Sequence, residues 1–147
     1  MQIRPMQKSD YEAVYSLWLS CPGVALNTTD DSPEGIGKFL DRNPTSCFVA
    51  EAEDGRIVGV ILGGHDGRRG YIHHAAVAVD ARRQGVAAAL TEAVLAALKA
   101  EGIVKVTLVA FSKNEGGNAF WGEQGFTLRD DLVYWDKVLI PVTRINT

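Results

Sequence analysis

Cysteine is scarce in this chain, with two in 147 residues. Cys21 and Cys47 have neither the spacing of a metal site nor the density of a disulfide scaffold. Two buried or half-buried free thiols in a reducing compartment are expected. Long apolar runs are missing as well. None approaches the ~20 residues of a membrane-spanning helix, and Met1-Gln2-Ile3-Arg4-Pro5 lacks the apolar stretch of a secretory signal. Nor is there an excess of positive charge. The formal net charge of −3 removes the general electrostatic reason to expect nucleic-acid binding. A cytoplasmic protein with no nucleic-acid or membrane partner is expected. A Gly-x-Gly-x-x-Gly turn after an early strand is also lacking, which argues against a dinucleotide enzyme. Repeats, linkers and low-complexity segments are absent. What remains is 46% hydrophobic and 22% charged, the make-up of one globular domain over residues 1–147 with a real core.

The order of elements follows from periodicity and breakers. Met1 to Arg4 is a short candidate strand. Ser9-Asp10 starts a helix whose apolar positions are Ala13, Val14, Leu17 and Trp18. Residues 22–32 are irregular and polar. Ser32-Pro33-Glu34 opens a second helix to about Arg42. Cys47–Ala52 and Ile57–Leu62 are strands around a turn at Asp54-Gly55. The octet Gly63 to Gly70 resembles a phosphate loop in composition but leads into a strand, Tyr71–Val79, and is read as a flexible hairpin turn. Gly85–Glu101 is the clearest helix, with Val86, Leu90, Val94 and Leu98 as its stripe and Gly102 as its stop. Val104–Phe111 is β-prone, and Gly117–Gln124 is a short helix. Phe126–Arg129 and Leu132–Leu139 read as a closing pair of strands, and the tail after Pro141 as frayed. Hairpins mixed with helical crossovers indicate an α+β domain on a mixed, mostly antiparallel sheet.

Arg82-Arg83-Gln84-Gly85-Val86-Ala87 stands out. No Ser, Thr, Asp or Asn stands immediately before the first helical turn to accept its free N–H groups. Two cations crowd the positive end of the helix dipole. A bound anion removes both anomalies. Gly85 and Ala87 let the backbone approach it, and the arginines neutralise it. Strand, basic glycine turn and helix therefore read as a phosphate or pyrophosphate site.

Arg82-x-x-Gly85-x-Ala87 between a strand and a helix resembles the acetyl-coenzyme A signature of the GNAT superfamily of N-acetyltransferases. Asn114, Trp121 and Gly125-Phe126 resemble that family's second block. The element order agrees over nearly the whole chain. The resemblance implies a GNAT-like fold of about seven strands and four helices, with splayed central strands. It implies acetyl-coenzyme A as cosubstrate and no metal. The pyrophosphate would be held by backbone N–H groups from about Arg83 through Gln84, Gly85, Val86 and Ala87 to Ala88, with charge from Arg82 or Arg83. The pantetheine arm would pair with the strand edge around Ala75 to Val77. An N–H near Ala76 or Val77 would polarise the thioester carbonyl. Asn114 would contact the pantetheine or its loop, and Trp121 would pack against the coenzyme. Several amine acetyltransferases of the family have an acid or histidine nine residues before the first motif position, which is His73 here.

Acetyl transfer to an amine needs the amine neutral, so a base or a water path must take a proton. An imidazole titrating near pH ~6.5 suits that task, and His73 is favoured over His74. By strand alternation Tyr71, His73, Ala75 and Val77 share one face, and Ile72, His74 and Ala76 the other. That places the two histidines apart and speaks against a metal site. Trp121 stands where many members have a tyrosine that protonates the leaving thiolate. An indole N–H is not a usable acid. Tyr134 is a candidate substitute, against its reading as a core or edge aromatic. Asp30, Asp31 and Glu34 could attract an ammonium acceptor or simply be solvated. Phe39 and Trp18 read as core. The acceptor is a small-molecule or peptide amine. An acyl-coenzyme A binding or sensing module without efficient chemistry is the alternative. The apolar final strands could pair across a homodimer or be buried within one chain.

Overall fold

The computed structural model describes residues 1–145. Its central sheet grows from a hairpin. Phe48–Glu51 (β3) and Ile57–His65 (β4) pair antiparallel across the expected turn, where Gly55 adopts φ +88°. Gln2–Pro5 (β1) adds antiparallel outside β3, and Gly70–Val77 (β5) adds antiparallel to β4. Val106–Thr107 (β6) joins β5 in parallel, giving the order β1-β3-β4-β5-β6. The α-helices are Tyr11–Ser20 (α1), Pro33–Arg42 (α2), Val86–Ala100 (α3) and Glu115–Glu123 (α4). A second, two-stranded sheet pairs Leu26–Asn27 (β2) with Arg144–Ile145 (β7). Among the described residues, a mixed, mostly antiparallel sheet of five strands, a second sheet of two and four α-helices make the α+β fold that the sequence implied.

Helix α3 covers one face. Its stripe Val86, Leu90, Val94 and Leu98 is buried, and two glycines of β4 make room for it. A Cβ on Gly59 would lie 2.8 Å from Val86 Cγ1, and one on Gly63 would lie 2.6 Å from both Val94 Cγ1 and the Ser46 carbonyl. Thr91, next to Leu90 of that stripe, is buried too and donates its hydroxyl to the Ala87 carbonyl at 2.8 Å. Helices α1 and α2 cover the other face with Val14, Leu17, Trp18, Ile36 and Leu40. The expected cap of α2 is in place: Ser32 Oγ accepts from the Gly35 N–H at 2.9 Å. Both cysteines are buried free thiols, and burial pushes that of Cys47 up to about 12.

Strand β5 departs from simple alternation. Leu62 stands opposite His73 and Val60 opposite Ala76, so His74 and Ala75 share the one position facing Ile61. This is a β-bulge, and His74 takes left-handed backbone, φ +48°. The expected grouping of His73, Ala75 and Val77 is thereby corrected: His73 now shares a face with Ala76, and Val77 turns to the other. On its far side β5 pairs with β6 only at Gly70 and Tyr71. Beyond the bulge it has one ladder partner, and the sheet splays open.

The C-terminal expectations need correction. Half of the octet Gly63–Gly70 belongs to β4 and β5, and the turn is confined to residues 66–69. The ladder expected over Val104–Phe111 shrinks to Val106–Thr107, and neither Phe126–Arg129 nor Leu132–Leu139 forms a strand. β-propensity reports how well a side chain suits a half-buried pleated surface. Here Trp135 is 87% and Leu139 is 86% exposed, so that surface is missing. The tail read as frayed instead supplies β7, paired to residues of the loop read as irregular. Residues 146–147 of that tail lie outside the described residues.

Candidate active site

The turn before α3 is built as an open set of donors. Arg83 (φ +63°) and Gly85 (φ +79°) are both left-handed. No side chain caps α3, and its first backbone bond runs from the Ala89 N–H to the Gly85 carbonyl. The N–H groups ahead of Ala89 therefore have no helical acceptor and form a concavity of donors that suits an anion. A Cβ on Gly85 would meet nothing within 4 Å, so the space over the turn is free. Val86 is buried and offers only its backbone, while Ala87 and Ala88 are half-buried. The side chains divide. Arg83 is exposed, Arg82 Nε turns back to the Val77 carbonyl at 3.1 Å, and Gln84 Nε2 donates to the Asp80 carbonyl at 3.3 Å.

The same strand end supplies a further donor. The Ala78 N–H bonds the Val58 carbonyl at 2.8 Å. Alternation then turns the Val77 N–H away from β4, toward the splayed edge, and the Ala76 N–H into the β4 ladder. Of the two donors expected near the thioester, Val77 has the open orientation.

Asn114 caps α4, accepting from the Gly117 N–H at 2.9 Å. Trp121 packs edge-to-face on Phe126, with ring centres 5.3 Å apart. A groove of about 420 Å³ between α3 and α4 is bounded by Ala88, Glu92, Leu95 and Gln124. It reaches Ala88 alone among the expected coenzyme contacts.

The bulge corrects the placement of the histidines. Both lie on the α1/α2 face, with ring centres 6.3 Å apart. His73 packs edge-to-face on Phe39 of α2 at 5.6 Å and lies 4.3 Å from the Tyr71 ring. His74 packs on Trp18 of α1 at 5.1 Å. His73 opens into a cavity of about 390 Å³ whose walls include Phe39, Arg42, Asn43, Arg69 and Tyr71. Desolvation by the surrounding protein, and secondarily the nearby His74, hold its imidazole below the ordinary value, against the pull of Asp31 and Asp30. Phe39, read as core, is a half-buried wall of this cavity. Among the described residues no three His, Cys, Asp or Glu side chains gather as a metal site.

The acidic loop is tied inward. Asp31 is 3% exposed, and its Oδ1 lies 2.8 Å from His74 Nε2. Its Oδ2 accepts from the Asn27 N–H at 2.8 Å, and its carbonyl accepts from the Tyr11 hydroxyl at 2.6 Å. Trp18 Nε1 donates to the His74 carbonyl at 3.1 Å. Asp30 accepts from Asn27 Nδ2. Sequence reasoning missed this clasp, because the bulge that brings His74 to Asp31 leaves no periodic trace. Tyr134 is exposed but stands near Tyr71, whose hydroxyl is pushed up chiefly by burial and then by Tyr134.

A splayed sheet with an anion-ready turn at its mouth defines an α+β acyltransferase. Residues 11–126 match the Acetyltransferase (GNAT) family. The chain is 31% identical over 140 residues to an acetyltransferase of Sodalis glossinidius, covering 95% of this chain and 96% of that one. Its fold is similar to Ard1 from Thermoplasma volcanium (TM-score 0.76, 26% identity, 87% of this chain and 83% of that one). It is also similar to the PaiA N-acetyltransferase of Thermoplasma acidophilum in complex with coenzyme A (TM-score 0.74, 15% identity, 88% and 91%). The chain belongs to the GNAT family and is an acetyltransferase.

Proposed function

We propose that the chain moves the acetyl group of acetyl-coenzyme A to the nitrogen of a primary amine: a small molecule, an amino acid or a protein N-terminus. The observation that carries this reading is the uncapped turn Arg83–Ala88 beside the outward Val77 N–H. Coenzyme A bound to the PaiA neighbour supports it. One domain over residues 1–147, working in the cytoplasm, carries both half-sites. Among the described residues no helix is long and apolar enough to cross a membrane. The exposed side chains from Leu132 to Ile140 support pairing of two copies.

The turn holds the pyrophosphate, and the thioester lies along the open edge of β5. There the Val77 N–H bonds the carbonyl oxygen as negative charge develops on it. His73 takes the proton of the incoming ammonium. Four residues of strand separate His73 from Val77, on the order of 10 Å, so the proton travels through water. The amine nitrogen then forms its bond to the carbonyl carbon. The nitrogen gives up its second proton through the same water as the carbon–sulfur bond breaks, and coenzyme A leaves as thiolate or takes a proton from Tyr134, whose phenolate is then reprotonated from that water.

Trp121 favours a second reading, an acyl-coenzyme A binding module with weak chemistry, since an indole cannot replace a phenol as acid. Calorimetric titration with acetyl-coenzyme A, coenzyme A and NADH tests the ligand. Binding of the two coenzyme A species alone is expected, and a preference for NADH overturns both readings. Amine-dependent release of free thiol then separates enzyme from module.

A further inference from the structure

We infer that the cavity beside His73 binds an anionic group on the acceptor, so that the substrate is an elongated small amine with a phosphate or carboxylate remote from its nitrogen. The inference rests on the proposed acetyl transfer only for which end of the acceptor carries the amine. The site draws on the Gly63–Gly70 segment, whose phosphate-loop composition the coenzyme half leaves unused.

Charge and hydrogen bonding in the cavity point one way. Arg42 closes α2 and Arg69 precedes β5, and both residues line the cavity. Neither has a carboxylate within 4 Å among the described residues, whereas Arg4, Arg56 and Arg129 are each paired to one. Asn43, His65 and Asp66 of the lining are already engaged, whereas the hydroxyls of Tyr71 and Thr107 can donate to an anion. Asn43 Oδ1 accepts from the His65 N–H at 3.0 Å, and Asn43 Nδ2 donates to the Phe39 carbonyl. His65 Nδ1 accepts from the Gly67 N–H, and its Nε2 lies 3.2 Å from Glu101 Oε1. Asp66 is the cavity's one carboxylate. Its Oδ1 accepts from the N–H groups of both Arg68 and Arg69 at 2.8 Å. Two arginines without a carboxylate partner border a lining that holds one carboxylate, and Arg69 Nη1 donates only to the Arg68 carbonyl, at 3.4 Å; such guanidinium forks match phosphate and carboxylate.

Position sets the shape of the acceptor. The reacting nitrogen must come close to the thioester at Val77, and the cavity begins at His73. The gap is on the order of 10 Å of strand, longer than the few bonds between nitrogen and carboxylate in an α-amino acid. A volume of about 390 Å³ is in the range of small-molecule sites. Phe39 and Tyr71 supply apolar wall for the intervening chain.

Two measurements test this. In the first, inorganic phosphate is titrated into the full chain and the His73 imidazole resonances are followed by NMR. Phosphate is expected to shift them and raise their titration midpoint, and the Arg42→Gln/Arg69→Gln double variant is expected to lose the response. Both arginines are exposed, so the variant should keep its circular dichroism spectrum and acetyl-coenzyme A affinity; each single variant repeats the measurement if it does not. In the second, aminohexyl phosphate is compared with aminohexanol, and aminohexanoate with aminohexanamide. The anionic member of at least one pair is expected to show roughly 10- to 100-fold higher kcat/KM, and the preferred pair separates phosphate from carboxylate. An unmoved His73, or neutral members acetylated as well as their anionic partners in both pairs, overturns the proposal. Failure of acetyl-coenzyme A to bind would instead sink the transferase reading, and the phosphate titration would still decide the fate of the arginine pair.

Discussion

His74 holds left-handed backbone, φ +48°, while its ring is fastened to the buried carboxylate of Asp31 at 2.8 Å. A bulky side chain in that conformation is strained. The strain is confined by three anchors: Asp31 on the ring, Trp18 on the carbonyl and β4 on either side of the bulge. Asn adopts left-handed backbone far more readily than β-branched residues. His74→Val should therefore lower stability by about 1–2 kcal/mol more than His74→Asn, read as urea midpoints. Equal loss in both would mean that the bulge does not constrain this position.

Asp31→Ala removes the acceptor of both His74 and the Asn27 N–H. A loss of about 1–3 kcal/mol is expected, with acetyl-coenzyme A affinity little changed, because the pyrophosphate turn lies elsewhere. The check is urea denaturation alongside calorimetry. A variant as stable as the parent would show that the clasp contributes nothing.

The pH dependence belongs to His73. As a base it must be neutral, and its imidazole titrates below the ordinary value. The acidic limb of kcat/KM should therefore fall below pH ~6.5. His73→Gln should lower kcat/KM by about 100-fold and remove that limb. A limb that persists in the variant assigns the proton to another group.

Gly85 and Gly55 form a matched pair. Both have φ near +80° to +90°, and a Cβ on either meets nothing within 4 Å. Alanine at each should cost about 1 kcal/mol of stability for the same conformational reason. Only Gly85→Ala should weaken acetyl-coenzyme A, by about tenfold or more, because its Cβ projects over the turn. Equal affinities of the two variants would remove the turn from coenzyme binding.

Tyr134→Phe tests the proton delivered to the thiolate. If the phenol serves, kcat should fall with acetyl-coenzyme A affinity unchanged. Undiminished turnover would leave the thiolate to depart unaided.

Away from the site, Arg4 bonds Asp10 through two nitrogens at 2.9 Å and Glu51 at 2.7 Å. The Arg4 guanidinium, joined by the Gln7 N–H, holds the buried Asp10 carboxyl below its usual range. A carboxylate depressed in the folded state stabilises above its unfolded pKa, and that contribution is lost as pH falls through the folded value. Asp10→Asn should be about 1–3 kcal/mol less stable at neutral pH, with the gap closing below pH ~3.9. Urea midpoints across pH decide it.

Where burial and backbone chemistry agree, the elements were legible in advance. Ser32-Pro33, the stripe of α3 and its Gly102 stop read directly as a cap, a buried face and an end. The uncapped turn before α3 was legible because a cationic helix start with no capping residue stands out against local physics. The histidines were not, since one extra residue in β5 reverses every facing beyond it and leaves no mark on composition. Arg42 and Arg69 belong to segments 27 positions apart in the chain, and only the fold shows that they border one cavity. The strands expected after Phe126 failed for a different reason. Propensity was present, but the second surface that makes a strand favourable was not.

The bulge at His74 has a thermodynamic corollary for whatever enters the cleft. Because β5 changes register within its own length, the gap beside its second half is fixed by the β4 ladder rather than opened by a hinge. A ligand arriving there finds the Val77 N–H already open and need not break a strand pair to reach it. Association should then carry little reorganisation free energy, and the backbone on either side of the gap should superpose with and without its occupant.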